Sequence, residues 1–170
     1  KIYTAKRIFS SSIQKFESHA LSKVPDHYRY EEGILRLYAY INGGWCLKHL
    51  DITITERCTL NCKACCSLIP LYKSPQNFDQ DIVLKSFDKL LSSKCYISTV
   101  NLMGGEPLLN QELIQKILLR YKDEHQIGTF QIISNGTIVP SKETLDAMKA
   151  NGRIYVIFSN YGYLSKMQEK

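Results

Sequence analysis

The 170-residue sequence contains no apolar run that approaches the ~18 residues needed to cross a membrane. It has no block of Lys or Arg either. Its 22 basic and 16 acidic residues leave a net charge of only +6, whereas a nucleic-acid surface shows a clustered basic stripe. Neither membrane insertion nor nucleic-acid binding is therefore indicated. No apolar stretch follows Lys1-Ile2-Tyr3-Thr4-Ala5-Lys6-Arg7, so no secretory signal is expected. The lack of an initiating Met leads us to expect residues upstream of Lys1. Internal repeats and low-complexity tracts are also missing. With 44% hydrophobic and 22% charged residues, the composition is that of a globular chain rather than a disordered one. At ~150 residues per domain the length suits one domain with a short appendage. It is too short for an eight-fold (β/α) barrel, for which ~250 residues is typical.

What the sequence does have is cysteine concentrated in one place. Of six cysteines, Cys58, Cys62, Cys65 and Cys66 fall within nine residues. A disulfide scaffold spreads its cysteines to tie distant loops together and belongs to small secreted chains. Thiols packed this closely point instead to metal or redox chemistry in a reducing compartment, and a cytoplasmic location is expected. Cys46 and Cys95 read as small buried hydrophobes.

The pattern along the chain changes near residue 48. Residues 1–48 read as a helical lead-in. Ile13, Phe16, Ala20 and Leu21 share one face after Ser10-Ser11-Ser12, and Val24-Pro25-Asp26 breaks the run. Ile34, Leu35, Tyr38 and Ile41 suggest a second short helix stopped by Gly43-Gly44. Residues 49–170 then alternate strand and helix. Strands are expected at Leu50–Thr55, Tyr96–Met103, Thr129–Ser134 and Ile154–Phe158. Between them, residues 79–94 carry Val83, Phe87, Leu90 and Leu91 on one stripe, with Asp79 and Asp81 at the N-terminus. Asn110 is placed to cap a helix bearing Leu113, Ile114, Ile117, Leu118 and Tyr121. Pro140-Ser141 opens a third helix, with Leu145 and Met148 inward and Asn151-Gly152 at its end. Such alternation predicts βαβ units and a parallel sheet, whose sites gather at the C-terminal ends of the strands.

Directly after the first strand, Cys58, Cys62 and Cys65 form a C-x3-C-x2-C pattern. Three thiolates on one loop can grip three irons of a [4Fe–4S] cube and leave the fourth iron open to a ligand. The same loop could hold structural zinc through four thiolates, including Cys66. Cys62-x-x-Cys65 could also act as a redox dithiol. At the end of the second strand stands Gly104-Gly105-Glu106-Pro107. Taken alone, this reads as a strand-to-helix turn with a carboxylate at a helix N-terminus.

The two motifs together, in this order and at these strand ends, resemble the radical S-adenosylmethionine (SAM) superfamily. The resemblance spans about residues 49–162 and implies a (β/α)6 partial barrel. The fold class expected here is α/β, an incomplete barrel of this type with four parallel strands after a short helical N-terminal segment. By resemblance, Cys58, Cys62 and Cys65 hold a [4Fe–4S] cluster, and Gly104, Gly105 and Glu106 meet the methionyl ammonium of SAM. Ser134-Asn135-Gly136-Thr137 resembles the family's T-N-G element, while Ser159 and Asn160 stand where the family contacts the SAM ribose. Each of these two segments also reads as a polar turn. Ala64 departs from the pattern, because the family usually places an aromatic residue there, near the adenine. No role is assigned to Cys66, and no catalytic side chain is named.

The activity implied is reductive cleavage of SAM to a 5′-deoxyadenosyl radical, which abstracts hydrogen from an unidentified substrate. A flavodoxin- or ferredoxin-type electron donor is the implied partner. The alternative is a zinc-binding or inactive interaction module built on the same cysteine loop. Only four strands are legible, and two further βα units need ~60 residues at about 30 per unit. The chain is therefore expected to be the N-terminal two-thirds of a barrel, with an unpaired apolar edge on its fourth strand.

Overall fold

The computed structural model describes residues 39–159, together with Gly33, Arg36 and Leu37. The chain divides into two compact units, Lys1–Ile34 and Leu35–Lys170, and every strand and helix with defined bounds lies in the second. The expected helix after Ser10, its break at Val24-Pro25, and Asn160 lie outside the described residues.

Seven elements follow one another as β1 (Trp45–Thr55), α1 (Gln80–Ser92), β2 (Cys95–Gly104), α2 (Gln111–Arg120), β3 (Ile127–Ser134), α3 (Lys142–Asn151) and β4 (Ile154–Phe158). The strands form one open sheet in the order β1-β2-β3-β4, each neighbouring pair parallel. Parallel neighbours need a crossover, and α1, α2 and α3 supply the three. This is the α/β arrangement expected for part of a (β/α)6 barrel. Among the described residues β4 is an edge, and its Tyr155, Ile157 and Phe158 are exposed. No helix among the described residues is long and apolar enough to cross a membrane.

The two faces of the sheet differ because side chains alternate along a strand. Ile54, Val100, Leu102, Phe130 and Ile132 are fully buried and join Phe87, Leu113, Ile117 and Ala147 of the helices in one hydrophobic core. The opposite face is polar across its middle. Cross-strand registry aligns His49 with Thr99 and Thr129, and Asp51 with Asn101 and Gln131. Asn101 Nδ2 donates to Asp51 Oδ1 at 2.7 Å.

Local chemistry sets the ends. The helical turn at Ala39–Ile41 stops where Gly43 takes a φ of 64°. The Gly44 N–H then donates to the Ala39 carbonyl at 2.7 Å and the Gly43 N–H to that of Tyr40 at 3.3 Å, the paired bonds of a Schellman stop. Asp79 and Ser141 cap α1 and α3 by accepting the N–H groups of Ile82 and Thr144. Gly152 ends α3 with a φ of 69°.

Three expectations need correction. β1 begins at Trp45 rather than Leu50, because pairing of Trp45, Cys46 and Leu47 with Cys95, Tyr96 and Ile97 makes strand where local alternation is absent. Asn110 precedes α2 but does not cap it with its side chain, whose Nδ2 donates instead to the Ile54 carbonyl at 3.1 Å. Leu145 faces outward at 42% exposure. Thr144 and Ala147 turn inward in its place, and Thr144 Oγ1 donates to Gln111 Oε1 of α2 at 2.7 Å.

Candidate metal and cofactor site

The site forms where the C-terminal ends of β1, β2 and β3 meet. After β1 the chain leaves on a long excursion that is closed at its base. Thr55 bridges Asn77, the Glu56 N–H donates to the Gln76 carbonyl at 2.8 Å, and the Gln76 N–H donates to Glu56 Oε2 at 3.1 Å. The cysteines lie on this tied loop. Cys58, Cys62 and Cys65 line a single cleft.

The two glycines explain how the loop is held. The Gly105 N–H donates to the Thr55 carbonyl at 2.9 Å, and the Glu106 N–H donates to that of Arg57 at 2.8 Å. Backbone therefore passes directly over backbone. A Cβ on Gly104 would stand 2.2 Å from the Thr55 oxygen, and one on Gly105 would stand 2.2 Å from the Arg57 oxygen. Gly104 also adopts a φ of 143°, which disfavours a side chain. Both glycines line the cleft beside the thiols.

Glu106 is fully buried, and it is not among the residues lining the cleft. Its Oε1 accepts from Ser134 Oγ at 2.9 Å and from the Leu108 N–H at 3.1 Å; its Oε2 accepts from the Asn135 N–H at 2.7 Å. A buried carboxylate is costly without partners, and three donors offset that cost. Ser134 is buried beside it and also accepts the Gly136 N–H through Oγ at 3.0 Å. Glu106 and Ser134 thus tie β2 to β3 beneath the cleft.

Asn135 and Ser159 do line the cleft. The Ser159 N–H donates to the Ser134 carbonyl at 2.9 Å, which carries the end of β4 to the same rim. Asn135 Nδ2 reaches across to the cysteine loop, donating to Cys58 Sγ at 3.6 Å and to Thr59 Oγ1 at 3.1 Å. Thr59 and Thr137 also bond to one another through their hydroxyls. Sequence reasoning missed Thr59, Met103 and Ile133. The last two line the cleft from β2 and β3, and their signal was only parity, each standing on the polar face just before a strand ends.

Burial pushes the Cys62 thiol above its usual pKa, and the neighbouring Cys58 and Cys65 push it further by like-charge repulsion. Among the described residues no three His, Cys, Asp or Glu side chains stand together at metal-binding distance. The three thiols nevertheless suit a metal. They are soft ligands of the kind that takes iron–sulfur clusters or zinc, and a cation would remove the repulsion among their anions. Cys66 is exposed and lines the same cleft, with Sγ 3.8 Å from Ser67 Oγ.

A model of the Radical SAM superfamily matches residues 52–159, from within β1 to just past β4. The chain belongs to the radical SAM superfamily. Several named proteins are similar to it. It is 24% identical over 147 residues to the radical SAM cyclopropyl synthase TigE of Paramaledivibacter caminithermalis, covering 77% of this chain and 31% of that protein. Identity to the GTP 3′,8-cyclase of Clostridium acetobutylicum is 34% over 96 residues, covering 55% of this chain and 29% of the cyclase. The GTP 3′,8-cyclase of Aquifex aeolicus is 32% identical over 114 residues, covering 62% and 32%. The chain thus spans about a third of the length of the curated relatives it matches. Within the superfamily match, the cysteine loop follows the first strand and the Gly-Gly-Glu turn ends the second.

Proposed function

We propose that this chain carries the radical-generating part of a radical SAM enzyme, with Cys58, Cys62 and Cys65 holding a [4Fe–4S] cluster and SAM bound in the cleft beside them. The observation that carries the proposal is the convergence of the Cys58, Cys62 and Cys65 thiols, with Cys66 beside them, and the bare Gly104-Gly105 backbone on one cleft at the strand ends. When bound, the cluster and SAM supply the chemistry, a one-electron cleavage that yields a 5′-deoxyadenosyl radical for hydrogen abstraction.

The chain's own residues bind and orient. The Gly104-Gly105 backbone can approach the methionyl ammonium because no side chain intervenes. Glu106, whose oxygens already accept three hydrogen bonds, acts by fixing that turn rather than by reaching into the cleft. Ser159, with Asn160 after it, is assigned to the ribose side, and Met103 and Ile133 give the cleft an apolar floor.

The substrate remains to be identified, and the polar face below the cleft suits a molecule with hydrogen-bonding groups. Asn101 Oδ1 is buried on that face and has no hydrogen-bond partner among the described residues. Relatives named for cyclopropyl synthesis and for GTP cyclisation both match this chain, which supports placing the shared radical step, not substrate choice, in the matched part. An acidic flavodoxin- or ferredoxin-type protein is the proposed electron donor, steered by the net charge of +6.

The test is anaerobic reconstitution with iron and sulfide. Wild-type protein should turn brown and hold iron and acid-labile sulfide in equal amounts, and replacing Cys58, Cys62 or Cys65 by Ala should abolish this. Stoichiometric zinc with no iron would establish the zinc module instead.

A further inference from the structure

Asn135 and Cys58 lie 77 positions apart in sequence, yet the Asn135 side chain donates to the Cys58 sulfur at 3.6 Å, a separation suited to the large sulfur atom. Two features make this contact directional. Asn135 Oδ1 accepts from the Thr137 N–H at 3.0 Å and from Thr137 Oγ1 at 2.7 Å. A backbone N–H can only donate, so the carboxamide oxygen must face Thr137 and the NH2 must face the cysteine loop. Asn135 is also fixed at its backbone, where its N–H donates to the buried Glu106 carboxylate. The Cys58 sulfur receives a second donor, the Leu60 N–H at 3.4 Å.

We propose that Asn135 is a positioning residue that raises the reduction potential of the cluster by hydrogen bonding to its Cys58 ligand. The proposal rests on the cluster reading above. Reduction adds one electron, and part of the added negative charge falls on the ligand sulfurs. A donor aimed at sulfur stabilises the reduced form more than the oxidised one, so the potential rises. The polar turn after β3 thereby acts on the electron-accepting group directly. Its amide group is committed to Cys58, Thr59 and Thr137.

Redox titration of the reconstituted 170-residue chain, followed by its visible absorption and EPR, tests this. Three variants separate tuning from support. Asn135→Ala removes the donor. Asn135→Asp keeps the shape and the acceptor for Thr137 but has no N–H to give. Thr59→Val breaks the neighbouring hydroxyl bonds and leaves the Asn135 amide facing Cys58. Both Asn135 variants should keep their iron and titrate at more negative potential than wild type, Asn135→Asp furthest, while Thr59→Val titrates like wild type. Unchanged potentials in the Asn135 variants would overturn the proposal, as would an equal shift in Thr59→Val. Loss of iron from both Asn135 variants would mark a purely structural role. A wild-type chain that binds zinc and no iron would overturn the cluster reading, and this role with it.

Discussion

The Glu106 carboxylate, wholly buried, accepts the backbone N–H of Asn135 at 2.7 Å. This one bond joins the end of β2 to the end of β3 and so links the glycine turn to the turn that touches Cys58. The acidic residue of the Gly-Gly-Glu motif is thus part of the framework of the cleft.

Replacing that carboxylate by an amide should be costly despite the matching shape. In Glu106→Gln one of the two oxygens becomes an NH2, which faces donors from Ser134 and Leu108 or from Asn135. Leaving a buried donor unpaired costs about 1–3 kcal/mol. Urea unfolding of the variant should show a loss in that range, and a wild-type midpoint would mean that Glu106 is not the clasp described here.

Gly105→Ala acts on the loop itself. The new methyl group would be 2.2 Å from the Arg57 oxygen and 3.0 Å from Cys58 Cβ, so the first cysteine must shift. Iron retention after gel filtration should fall by roughly 10-fold, the scale of a disturbed supporting shell. Full retention would show that the loop tolerates the displacement.

Ile117 is fully buried in α2, away from the cleft, and belongs to the main core. Ile117→Ala should destabilise the fold by about 2–5 kcal/mol through lost burial and a residual cavity. Folded variant protein should still take up iron as wild type does. A defect in uptake without a loss of stability would contradict the separation of core and site.

Asp88 of α1 accepts from Arg120 Nη2 and from Tyr121 Oη, both at 2.7 Å, which clasps α1 to the end of α2. The Arg120 bond first, then the Tyr121 bond, hold the Asp88 carboxyl below its usual pKa. A depressed carboxyl contributes stability above its unfolded pKa and loses it as pH falls through the folded one. The pair is largely solvent-exposed, so Asp88→Asn should cost no more than ~1 kcal/mol at neutral pH. The gap between variant and wild type should close below about pH 4. Denaturant unfolding at both pH values checks this, and a gap that persists in acid would place the effect elsewhere.

Much of this organisation was legible because it depends on short-range chemistry. Asp79, Ser141, Gly43 and Gly152 sit at helix ends for reasons that four residues of sequence reveal. The stripe of Leu113, Ile114, Ile117 and Leu118 is buried as its period required. The cysteine spacing and the paired glycines named the family before any geometry. What stayed hidden depends on residues far apart in the chain. Asn110 looked like a helix cap until β1 offered it the Ile54 carbonyl. Nothing local to Trp45 announces strand, because its partner Cys95 lies 50 positions away. Asn135 read as a polar turn facing a cofactor, and only the approach of the cysteine loop gives its amide a sulfur to meet.

The most direct test of the account is the EPR spectrum of the reconstituted, reduced protein recorded with and without SAM. We predict a [4Fe–4S] signal whose shape changes when SAM is added, since both are assigned to the cleft that Cys58, Cys62, Cys65 and Gly105 line. A reduced cluster whose spectrum ignores saturating SAM would contradict it.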